Sequence, residues 1–73
     1  MTENQKDTKR AVAAARIIID DRVEVASVLV TLEHTVAAVL LTLYPDPRAA
    51  ANMLNEALVQ GVEMRLAWYG AKK

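Results

Sequence analysis

Hydrolytic and metal chemistry usually starts from histidine and paired carboxylates. This chain offers one histidine, His34, and acids at Asp20, Asp21 and Glu33. On a helix, His34 has Val30, Thr31, Ala37 and Ala38 at the spacings that bring side chains together. None of these is a carboxylate, so no metal-ligand set forms around it. Asp20 and Asp21 are adjacent, and adjacent helix residues do not face each other. There is no cysteine, no glycine-rich phosphate loop and no nucleophile elbow. Trp68 and Tyr69, late in the chain, are expected to pack the open end of a helical pair and not a cofactor. The reading is a protein that is not an enzyme and takes no metal or cofactor.

Binding chemistry remains. Lys6, Lys9, Arg10 and Arg16 are the candidates for nucleic acid, but Glu3 and Asp7 dilute them and no aromatic is interleaved for base stacking. Nine basic side chains are cancelled by nine acidic ones, which argues against electrostatic binding to nucleic acid or an anionic membrane. Protein contact is better served. In LTLYPDPRAA, Tyr44 and Arg48 flank a rigid Pro45-Asp46-Pro47 turn. Tyr and Arg are frequent interface anchors, and a proline-fixed turn loses little entropy on binding. Val59 and Leu66, two helical turns apart amid polar neighbours, form a second candidate contact.

The elements that must position these residues are helices. From about Asp7 to Leu43 there is neither Gly nor Pro. At about 100° per residue, Asp20, Glu24, Ser27, Thr31, His34, Thr35, Ala38 and Thr42 share one stripe. A long helix with one wet edge is therefore expected over about 7–43, capped by Thr2 or Asp7, with residues 1–6 either helical or a frayed arm. Tyr44 precedes proline and leaves helical geometry. Asp46 suits an N-cap and Pro47 the first helical position, so the turn occupies 44–47 and a second helix runs over about 47–69. Gly70 is expected at its C-terminal reversal. Ala50, Leu54, Ala57, Leu58, Gly61, Trp68 and Tyr69 line its inner face, with Ala57 and Gly61 admitting a close backbone approach. The fold class expected is all-α: a single domain over 1–73, an antiparallel helical hairpin of a long helix, a PDP turn and a shorter helix.

One hairpin cannot bury what this sequence carries. Hydrophobic residues make up 53% of the chain, and the apolar arc of the first helix spans roughly 220°, where one neighbour needs little more than about 100°. A homodimeric helical bundle resolves this. Arg22 and Glu33, both inside the arc, are eleven residues apart and face one another if two first helices pack antiparallel about Ser27–Val28. That register pairs Ala26 with Leu29, Ile19 with Val36, Ile18 with Ala37 and Ala15 with Leu40. The dimer interface then holds Ile18, Ile19, Arg22, Ala26, Leu29, Glu33, Val36 and Ala37. The longest uninterrupted apolar run, Val36 to Leu41, is short of a membrane span, and the polar start MTENQKDTKR lacks the apolar core of a signal peptide. A cytoplasmic protein of a bacterial host, without membrane contact, is expected.

From TKRAVAAARIII to EMRLAWYG, with a tyrosine immediately before the turn in LTLYPDP, the chain resembles small phage-encoded anti-activators of quorum sensing. The resemblance implies a dimer of helical hairpins that binds and inhibits a host LuxR-type transcription activator, and in some members a pilus-assembly ATPase. Tyr44 is the position it carries over. Two other classes share the outline: a small type III secretion co-chaperone, which pairs with a larger helical-repeat chaperone, and an RNA-binding regulator built as a four-helix dimer.

Overall fold

The computed structural model describes residues 2–21 and 24–71, and all the regular structure among them is helical. The elements are α1 (Glu3–Ile19), α2 (Val25–Leu43), α3 (Pro47–Met53), a π-helical segment (Leu54–Leu58) and α4 (Val59–Ala71). The chain divides into two units, residues 1–35 and 36–73, with the division inside α2.

In the first unit, α1 begins four residues earlier than the Asp7 start, because Thr2 and Gln5 form a reciprocal capping box. The Gln5 N–H donates to Thr2 Oγ1 at 3.2 Å, and the Thr2 N–H donates to Gln5 Oε1 at 2.9 Å. This satisfies two donors that a helix start otherwise leaves open. The first residues are thus helix and not an arm. Lys6 pairs with Glu3 at 3.4 Å and Arg10 with Asp7 at 3.8 Å, both exposed, so each contributes little.

The expected long helix is broken. α1 ends at Ile19, and Asp20 adopts φ 53°, ψ −133°, with its N–H still donated to Arg16 O at 2.8 Å. Helix resumes at Val25, where Glu24 O accepts from the Val28 N–H at 3.3 Å. Ile17-Ile18-Ile19 followed by two aspartates is a run of modest helix formers. Asp20, Asp21 and Glu24 are also better placed before a helix N-terminus, whose partial positive charge favours them, than inside one continuous helix.

In the second unit, the stop and restart have the chemistry that prolines impose. Helix ends at Leu43; the Tyr44 N–H reaches Leu40 O at 2.7 Å. Asp46 is extended and its carboxylate accepts from the Arg48 N–H at 3.0 Å, with Pro47 in the first turn. Ala50 lies one turn beyond and is the single buried residue among those described. Leu40, Tyr44, Ala49, Met53 and Leu54 are half-buried.

The second helix contains a π turn that periodicity does not reveal. The Leu54 N–H is shared between Ala50 O and Ala51 O, and the Val59 N–H reaches back five residues to Leu54 O. Asn55 Nδ2 donates to Ala51 O at 2.9 Å and so supplies a partner to a carbonyl at the widened turn. Beyond it, helix continues through Gly70, which keeps helical backbone, to Ala71. Ala71 is too small a side chain to close the reversal expected at Gly70.

Two substitutions test this description by sign. Asp20→Gly should raise stability by about 1 kcal/mol, because glycine alone adopts that backbone region without strain. In an unbroken helix the same change would lower stability by about a few tenths of a kcal/mol. Denaturation midpoints decide. At Gly61 an added Cβ meets nothing within 4 Å among the described residues, so the expected close backbone approach is not made there by any of them. Gly61→Ala should therefore raise the thermal midpoint, by about 0.5–1 kcal/mol in stability.

Candidate protein-binding surface

The turn presents Tyr44 and Arg48 differently. Arg48 is exposed with its backbone N–H held by Asp46, whereas Tyr44 is half-buried. Tyr44 thus combines a covered part with a reachable part at the end of a fixed turn.

The π segment decides which residues of α4 share a face. A π turn acts as a one-residue insertion, which rotates everything after it by roughly 100° relative to a plain α-helix. Counting through it from Ala50 and Leu54, the stripe in phase becomes Leu58, Val62, Leu66 and Tyr69, not Ala57, Gly61 and Trp68. Along α4, Val59, Val62, Leu66 and Tyr69 follow at intervals of three, four and three, all exposed. Val59 and Leu66 were legible as one face; Val62 and Tyr69 belong with them. Trp68 and Tyr69 meet edge to face at 4.9 Å between ring centroids, yet remain 54% and 51% exposed. They do not close a core end as expected.

Of the described residues expected at the dimer interface, Ile18 and Ile19 lie on α1 and the others on α2. Ile18 is half-buried and Ile19 exposed in α1; Ala26, Leu29, Glu33 and Ala37 are exposed and Val36 half-buried in α2. Arg22 lies outside the described residues. The break at Asp20 takes Ile18 and Ile19 out of the helical phase shared by Ala26 to Ala37, which the expected register assumed to be continuous.

The expected wet edge of α2 is largely turned inward on itself. Thr31, Thr35 and Thr42 donate their hydroxyls to Ser27 O, Thr31 O and Ala38 O at 3.1, 2.8 and 2.8 Å. Such back-bonding spares these hydroxyls the need for water. The helix therefore presents more apolar character than its composition suggests. An 18-residue window of this 19-residue helix has a mean hydropathy of 1.8, and none of that window is buried. At about 28 Å it is long enough to cross a bilayer core of about 30 Å, a property that counting uninterrupted apolar runs misses. Glu33 and His34 oppose insertion. They lie at the helix midpoint, where a charged side chain costs about 2.5–3.5 kcal/mol.

No family model matches the chain, and neither a curated protein nor a solved structure does. The surface is read from its own chemistry. Among the described residues no three His, Asp or Glu side chains could jointly hold a metal ion. Two of the basic residues considered for nucleic acid, Lys6 and Arg10, are paired with acids one turn away. What the described residues do offer is apolar and aromatic surface on ordered helices.

An exposed stripe can be altered without unfolding the chain. Val62→Ser and Leu66→Ser, separately, should change unfolding free energy by no more than about 0.5 kcal/mol. A larger loss, read from thermal melts, would mean that the stripe is covered by packing.

Proposed function

We propose that this protein is a non-enzymatic binding module that self-associates as antiparallel helical hairpins in a homodimeric bundle and blocks a host transcription activator by stoichiometric capture. The observation that carries the binding reading is the scarcity of buried side chains: Ala50 is the one buried residue among those described, while Leu, Val, Trp and Tyr side chains on α2 and α4 stay exposed. Soluble monomers rarely leave such surface open, and extended apolar patches mark interaction sites.

Self-association is the economical cover for the first of these helices, and Tyr44 with Arg48, continued by Val59 and Leu66, is the surface left for a target. The resemblance to phage anti-activators supplies the target class, a LuxR-type activator, with a pilus-assembly ATPase as a second client. Capture needs no catalysis; affinity tighter than the target concentration suffices. A bacterial cytoplasm is the compartment where such a target resides.

The test is a DNA-binding assay of a purified LuxR-type activator titrated with the full chain. The activator should release its operator as a complex forms. Tyr44→Ala should weaken capture by about 2 kcal/mol or more, the range of an interface anchor, with helicity and dimer mass unchanged. An activator that keeps its DNA affinity at saturating protein rejects the proposal. Tyr44→Ala that binds as tightly as the parent moves the contact to Val59 and Leu66.

A further inference from the structure

Six residues of α2 repeat at alternating intervals of four and three: Val25, Leu29, Leu32, Val36, Val39 and Leu43. This is the spacing of a coiled-coil seam, which keeps one line of apolar side chains against a facing helix. All six lie on one uninterrupted helix. Val36 is half-buried and the other five are exposed, Val25 and Leu43 to 70% and 65%.

The seam is also a palindrome in volume. Reversing the helix about His34 sets Val25 opposite Leu43, Leu29 opposite Val39, and Leu32 opposite Val36. Every layer then joins one valine to one leucine, so the layers are equal in volume and large side chains meet small ones. A parallel, in-register pair would instead produce Val–Val and Leu–Leu layers of unequal size. His34 falls on the opposite side of the helix, roughly 180° from the seam.

We infer that the seam Val25–Leu29–Leu32–Val36–Val39–Leu43 is the self-association surface, packing against a second copy of α2 in antiparallel register centred on His34. The inference rests on the self-association proposed above and gives it an interface and a direction. The self-complementary order of valine and leucine along the seam favours a second copy as the occupant. A bilayer is the weaker occupant, since it would enclose Glu33 on all sides, while a helix partner leaves Glu33 at the seam's flank in water.

The chain has no cysteine, so disulfide trapping reads the register directly. Val25→Cys and Leu43→Cys full-length proteins are mixed in equal amounts, oxidised and analysed by non-reducing mass spectrometry. The mixed 25–43 interchain disulfide should be the dominant product, because a disulfide needs Cα atoms about 4.4–6.8 Å apart. In this register the two copies of position 25 are about 27 Å apart and should not join. His34→Cys should also fail to cross-link, although it sits at the two-fold, because it points away.

Dominant 25–25 or 43–43 disulfides, or an efficient cross-link through position 34, overturn the register. A dimer by sedimentation that forms no 25–43 cross-link overturns the seam and leaves self-association standing. Monomeric mass removes both. Co-flotation of the parent protein with phosphatidylcholine vesicles, with loss of the dimer, overturns the second copy in favour of lipid. None of these results depends on capture of an activator, which is judged separately by the DNA-binding assay.

Discussion

Among the described residues, side-chain hydrogen bonds close locally while most apolar groups are left uncovered; the architecture follows from that imbalance. Helical backbone bonds close within single elements, threonine hydroxyls return to carbonyls one turn earlier, and the caps at Thr2 and Asp46 are made by residues two or three positions away. None of this requires tertiary structure. The hydrophobic contribution does require it, and among the described residues the chain provides it for Ala50. Isolated helices of this length are marginal in water, and packing of an apolar face supplies most helical stability in proteins. The proposed self-association addresses that contribution.

The legibility of the sequence follows the strength of each local signal. Pro45 and Pro47 act by steric exclusion worth about 3 kcal/mol or more inside a helix, and Asp46 adds a cap, so the stop and restart could be read from the residues. The break at Asp20 could not. No glycine or proline marks it; it depends on small propensity differences and on where Asp20, Asp21 and Glu24 sit relative to a helix end, terms of about 0.5 kcal/mol each. The start at Glu3 was legible as a choice between Thr2 and Asp7, and the Gln5 side chain settles it in favour of Thr2.

The candidate surface was legible in the same uneven way. Tyr44, Arg48, Val59 and Leu66 stand out because aromatic, arginine and paired apolar residues in polar surroundings can be read without coordinates. Val62 and Tyr69 were hidden by an assumption of constant helical pitch, and so was the absence of a close approach at Gly61. Membrane-span length in α2 was hidden for a different reason. Ser27, Thr31, Glu33, His34, Thr35 and Thr42 interrupt the apolar run, but hydrogen bonding folds the threonine hydroxyls back, so the helix is less polar at its surface than its letters suggest.

The π turn at Leu54–Leu58 has a consequence for how this protein can change over time. Its geometry is that of a residue inserted into an existing helix, held by five-residue backbone bonds, that of Val59 to Leu54 among them, and by an asparagine side chain. Deleting a single codon within it would restore ordinary pitch and swing the far half of the helix by about a quarter turn, while the caps and the turn stayed as they were. The direction of the α4 face is thereby separable from folding. A lineage can re-aim that face in one genetic step, without passing through a sequence in which the helix itself is lost.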